Sequence, residues 1–168
     1  MRYKYLALLI IIVSIAIGVS IYQPPAKTAQ KAPETVSQPI SKAPTAQELL
    51  TLVNTERAKV GAKPLVMDER LNQSAQKKAD EMSSTNVFDH VNSQGIHGYQ
   101  YIAEYAPNLC GYYSENIIGA MTTHTSQQSV TSWMNSPAHR EAILNARYDL
   151  TGIAVSGDYA VQHFCDIP

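Results

Sequence analysis

A chain of 168 residues with 45% apolar and 16% charged side chains holds enough material for one core plus appendages. Its net charge of -1 hides an asymmetry: residues 1–45 carry five Lys/Arg against one Asp/Glu, and residues 46–168 carry eight against thirteen. An acidic domain without a basic stripe argues against nucleic-acid binding, which requires clustered Lys/Arg to meet phosphates.

In chain order, Arg2 and Lys4 precede an uncharged run from Tyr5 to Ile21 rich in Leu, Ile and Val. That run is near the lower limit for spanning a bilayer and longer than most signal-peptide cores. Residues 1–22 therefore read as a membrane segment whose basic front stays in the cytoplasm, so that the rest is exported. An uncleaved anchor is favoured over secretion after cleavage at a weak Gly18/Ser20 site. Residues 23–44 carry Pro24, Pro25, Pro33, Pro39 and Pro44 among small and polar residues. This is an extended linker that cannot bury enough apolar surface to fold, and it spaces the domain from the membrane.

The domain, 45–168, opens on the capping box Thr45-Ala46-Gln47-Glu48, with Leu49, Leu52, Val53 and Val60 at helical spacing and Gly61 as a stop. Pro64-Leu65-Val66 is a short extended connector. Asp68 caps a second helix with the inward stripe Leu71, Ala75, Ala79, Met82, and Lys77-Lys78 reads as solvated helix face. After Phe88-Asp89-His90 comes a long segment, 92–113, that contains five of the ten tyrosines. Such a concentration of large rings with polar tips points to a ligand surface, with Tyr99, Tyr101 and Tyr105 as candidates, although core packing is an equal reading. A short helix is expected around Tyr99 to Ala106, before Pro107. Ser114 to Gly119 reads as a strand.

Thr125 or a neighbour caps a helix running to Asn135 that contains the only Trp, Trp133. Ser136 then stands at an N-cap and Pro137 at the first position of another helix, which places His139 in its first turn. The end is β: Leu150–Ser156 and Tyr159–Cys165 flank the turn Gly157-Asp158. Tyr159, Val161 and His163 share one face of the last strand and Ala160, Gln162 and Phe164 the other. Helices followed by a hairpin imply an α+β sandwich. In an oxidising compartment Cys110 and Cys165 are favoured as a disulfide over two buried thiols, stabilising the fold by roughly 4 kcal/mol on the chain-entropy argument.

Four signatures, in order, resemble the CAP superfamily, which groups cysteine-rich secretory proteins, antigen five and plant pathogenesis-related proteins around the SCP domain. They are Leu52-Val53-Asn54 with Arg57 and Pro64-Leu65; Phe88-Asp89-His90; Glu115-Asn116-Ile117; and Trp133 to Pro137 with His139-Arg140 and Ile143-Leu144. The resemblance covers roughly residues 47–165. It implies a three-layer α-β-α sandwich with a mixed three- or four-stranded sheet and a cleft built from His and Glu. His90, Glu115 and His139 match three of the four cleft residues. The second glutamate is unmatched, its place falling near Ser136, and Ser114 stands where the family usually has Gly.

Three chemistries fit the matched residues. His90 and His139 suit a divalent cation such as zinc, with Glu115 as third ligand or as an orienter behind a ligand. His and Glu also suit acid–base hydrolysis. The favoured reading is an extracytoplasmic, membrane-anchored binding module for a lipid, glycan, peptide or partner protein of the cell envelope, with a protease-like hydrolase as the alternative. Ser136 is a helix cap rather than a nucleophile, because no base and orienter are placed around it.

Overall fold

The computed structural model describes residues 43–168; the expected membrane segment, 1–22, and linker residues 23–42 lie outside the described residues. Among the described residues no helix is long and apolar enough to cross a membrane.

Helix α1, Ala46–Lys59, starts where Thr45 Oγ1 accepts from the backbone N–H of Glu48 at 3.2 Å. A two-residue strand β1, Val66–Met67, replaces the expected connector and pairs in parallel with Leu150 and Thr151. Helix α2, Glu69–Thr85, is capped by Asp68 and buries Leu71, Ala75, Ala79 and Met82 as the stripe requires. Helix α3, Gly98–Tyr105, and strand β2, Tyr112–Ile118, follow. Helix α4, Ser126–Asn135, has a reciprocal capping box between Thr125 and Gln128. Helix α5, Pro137–Leu144, begins with Pro at its first turn; Ser136 occupies the N-cap position, but its hydroxyl makes no capping bond. Strands β3, Leu150–Ser156, and β4, Tyr159–Asp166, form the hairpin read from the sequence.

The strand order β1-β3-β4-β2 gives a mixed four-stranded sheet. Alternation along β4 sends Val161 and His163 to one face and Ala160, Gln162 and Phe164 to the other. On the first face Ala75, Ala79 and Met82 of α2 pack on Ile117, Ala154 and Val161, while Leu71 and Ile102 pack near Cys165. On the second, Leu49, Val53, Val130, Trp133 and Ile143 of α1, α4 and α5 pack on Ile118, Ile153 and Phe164. The helices therefore form two layers around the sheet, as the resemblance implied.

Three features fix the layers. Gly152 of β3 lies against the first turn of α2, where a Cβ would come within 2.0 Å of the Leu71 carbonyl carbon. Only glycine permits that approach. Arg57, fully buried at the end of α1, donates to the carbonyls of Lys63 (2.7 Å), Ile143 (2.7 Å), Asn145 (2.8 Å) and Tyr148 (3.0 Å). It thereby places a cation on the last carbonyls of α5, the negative end of that helix. Finally, Cys110 and Cys165 are bridged, with Cα atoms 5.2 Å apart, tying the segment before β2 to β4.

Candidate functional site

The sheet register assembles the site. Glu115 of β2 pairs with His163 of β4, which pairs with Gly152 of β3. All three side chains or Cα atoms therefore point toward α2. His163 Nε2 lies 2.9 Å from Glu115 Oε2, and its Nδ1 lies 2.7 Å from Ser74 Oγ on α2. Ser74 is held in turn by the Leu71 carbonyl at 2.9 Å. The other carboxylate oxygen, Oε1, meets His90 Nδ1 at 2.7 Å. A continuous chain runs from buried Ser74 through His163 and Glu115 to His90, whose side chain is 51% exposed. Because Nδ1 of His90 is committed, its Nε2 is the nitrogen left for the cleft.

Gly98, the first residue of α3, makes this chain possible. Its backbone N–H donates to the His90 carbonyl at 3.1 Å, and a Cβ there would fall 2.1 Å from Glu115 Oε2. The carboxylate thus sits against a helix N-terminus, a favourable place for negative charge. Burial alone would raise the Glu115 pKa, but the hydrogen bonds from His163 and His90 outweigh it and hold the carboxyl at about 2. The same bond raises the pKa of His90 against the opposing effect of burial.

His139 arrives from the other helical layer, in the first turn of α5. Asn116, the residue after Glu115, fixes its backbone by donating from Nδ2 to the His139 carbonyl at 3.1 Å. Burial, and then the charge of His90, lower the His139 pKa, which places the two imidazoles within electrostatic reach. The structure therefore joins His90 and Glu115 directly, whereas the His139 side chain is linked to them only through the charge of His90 and does not line their cleft. It also adds two partners that the sequence reading did not place there: His163, for which only the strand face was read, and Ser74.

The fit to a cation is incomplete. Both oxygens of Glu115 are taken by imidazole nitrogens, and among the described residues no three His, Cys, Asp or Glu side chains converge on a metal position. What remains is His90 Nε2, oriented from behind by Glu115, together with His139. Glu141 is exposed on α5, and Glu115 is the sole carboxylate among the cleft-lining residues.

The cleft itself has a volume of about 210 Å³ and is lined by His90, His97, Gly98, Tyr99, Ile102, Tyr113, Ser114 and Glu115. Of the three tyrosines expected at a ligand surface, Tyr99 lines it. Tyr101 does not: it is 4% exposed, with its hydroxyl donated to the Glu81 carboxylate, and belongs to the packing between α2 and α3. Tyr105 is half-buried outside the lining. The ring that joins Tyr99 is Tyr113, which the sequence reading left among the general tyrosine run. Lys78 also departs from expectation. Lys77 is solvated, but Lys78 is 1% exposed, because it falls on the inward stripe with Ser74 and Met82. Its charge opposes protonation of His90.

One pH effect follows from this geometry. Because Glu115 ionises lower in the fold than its ordinary 4.5, its contribution is complete above about pH 4.5 and fades as pH falls toward about 2. The His90 contribution has the opposite sign: it is complete below about 6.5 and is lost as pH rises through its elevated folded value. Urea unfolding at pH 6 and pH 2.5 should show Glu115→Gln losing about 2.5 kcal/mol less than wild type across that interval. Equal acid sensitivity in both proteins would contradict the assigned chain.

Comparison with known proteins agrees with this architecture. The model of the cysteine-rich secretory protein family, CAP, matches residues 50–165. The chain is 34% identical over 139 residues to the YkwD protein of Bacillus subtilis (strain 168), covering 82% of this chain and 53% of that one. It thus spans about half the length of that relative. The fold is similar to an extracellular protein containing a SCP domain from Bacillus anthracis str. Ames, with a TM-score of 0.66 at 21% identity over 71% of this chain and 39% of that one. An outer surface protein of Borrelia burgdorferi gives a TM-score of 0.66 at 22% identity, over 73% of this chain and 92% of that one. From the ordered signatures through the sandwich to the match over residues 50–165, the chain belongs to the cysteine-rich secretory protein (CAP) family.

Proposed function

We propose that this CAP domain is an extracytoplasmic binding module for a component of the cell envelope, held at the membrane by residues 1–22, with the cleft beside β2 as its ligand site. The names of its structural neighbours, an extracellular protein and an outer surface protein, support the location. The observation that carries the binding reading is the state of Glu115. With both oxygens bonded to imidazoles and its pKa at about 2, it has neither the proton of a general acid nor the basicity of a good general base near neutrality. It is built to orient His90. The hydrolase alternative would leave His90 to act without a second carboxylate.

The test is sedimentation of full-length protein, kept in solution by mild detergent so that residues 1–22 do not hold it to lipid, with the detergent-extracted insoluble envelope fraction of its own host. Wild type should co-sediment, and His90→Ala and Tyr99→Ala should each reduce the bound fraction by about ten-fold. Retention of both variants at the wild-type level would remove the cleft as the binding site.

A further inference from the structure

The lining of the cleft narrows the class of ligand. Its wall is a pile of three rings: His97 on Tyr99, with centroids 5.2 Å apart, and Tyr99 on Tyr113, with centroids 5.7 Å apart. Tyr99 is 43% exposed and Tyr113 41%, so the pile is not covered by the fold. Among the described residues neither phenol hydroxyl is engaged in a hydrogen bond, and His90 has only its Nδ1 committed. The floor thus offers one oriented imidazole nitrogen, and the wall offers two unspent hydroxyls beside aromatic faces. Ile102 is the single aliphatic side chain of the lining.

A sterol or acyl chain needs a larger and continuously apolar cavity. A strongly anionic ligand needs an unpaired cation in the lining, and the lining contains no Lys or Arg. The ligand that uses every group present is a compact ring with one apolar C–H face and a rim of hydroxyls, each able to give or take a hydrogen bond. We propose that the cleft is a saccharide subsite that takes one uncharged pyranose unit of a polysaccharide, stacked on Tyr99 and Tyr113 with a ring hydroxyl on His90 Nε2. The proposal rests on the reading that this cleft is the ligand site and adds the chemistry of the ligand. The cleft volume of about 210 Å³ suits a single ring, so the neighbouring units of the chain lie outside it.

Saturation-transfer difference NMR on the full-length protein tests this, with cellopentaose, chitopentaose and maltopentaose as separate probes. At least one should receive saturation through the C–H protons of a ring face. Its affinity should fall by about ten-fold in Tyr99→Ala and in Tyr113→Ala, and stay within about two-fold in Tyr112→Ala, whose ring stacks on Tyr148 outside the cleft. Tyr99→Phe and Tyr113→Phe keep the rings and should retain more binding than the Ala variants, which guards against a misfolded Ala variant. Absence of transfer to all three sugars, or binding that survives both Ala substitutions, overturns the proposal. If envelope retention is cleft-dependent but is abolished by protease treatment of the envelope, the ligand is a protein: the saccharide fails while the binding site stands. If retention ignores the cleft variants, both readings fall.

Discussion

Replacing Arg57 with Met is expected to lower the unfolding free energy by about 4 kcal/mol, read as a fall in the urea midpoint with an unchanged slope. The figure comes chiefly from the buried bonds to the Ile143 and Tyr148 carbonyls; those to Lys63 and Asn145 are part-buried, and Asn145 keeps the Tyr148 N–H at 3.4 Å. Leaving a buried acceptor unmet costs about 1 kcal/mol or more apiece. Burial lowers the Arg57 pKa, with Asp149 opposing, so the cation is held there at a desolvation cost and its carbonyl partners offset it. Met fills similar volume, which separates lost hydrogen bonding from a cavity. Arg57→Lys should fall between the two, because an ammonium cannot reproduce the planar fork. The damage should also reach the cleft: α5 loses the clamp at its C-terminal end, and His139, at its N-terminal end, should show a changed imidazole proton shift. A drop below about 1 kcal/mol would mean that water replaces the guanidinium without loss.

Gly152→Ala is expected to cost about 3 kcal/mol or more. The new methyl would meet backbone, not a flexible tip: the carbonyl carbon and oxygen of Leu71 at 2.0 and 2.1 Å and the nitrogen of Asn72 at 2.4 Å. The first turn of α2 must lift from the sheet, taking with it the Asn72 side chain that accepts from the Ile153 N–H at 3.1 Å. Ser74 lies half a turn further on, so its contact with His163 should open as well. Thermal melts and the His163 ring resonances would register both consequences. Gly111→Ala is the matched control. Its Cβ would lie 3.5 Å from Pro168, an ordinary contact, and its melting temperature should stay close to that of wild type. Similar destabilisation by both substitutions would show that glycine flexibility, and not the close approach, is what matters.

How far the sequence revealed the fold depended on the range of the forces involved. Helices α1, α2 and α4 announced themselves through caps and stripes, because those signals act within one or two turns. The β3–β4 hairpin was legible from period-two alternation around Gly157-Asp158. Strand β1 was not, since two residues carry no alternation to read. The Lys78 position was in fact readable: residues 71, 75, 78 and 82 keep a four-three-four spacing, and the neighbouring Lys77 drew the whole pair to the solvated face. His163 was a different problem. Its face within β4 was evident, but the layer that this face meets depends on sheet register and on α2, both set by long-range packing. For the same reason His90 and Glu115 could be matched to a pattern without showing that Glu115 was already saturated. Tyr101 and Tyr113 exchanged roles because sequence proximity does not tell which ring of a tyrosine-rich segment turns inward.

The two borders of the sheet have a consequence for behaviour in crowded solution. At one border β1 is only two residues long. At the other, β2 has Trp133 Nε1 donating to the Ile117 carbonyl at 3.2 Å, so that acceptor is already spoken for. Sheets recruit foreign strands through long rows of open amide groups, and both borders here shorten or obstruct that row. Indefinite edge-to-edge stacking, the usual route from an α+β domain to fibrils, therefore has a poor template on this molecule.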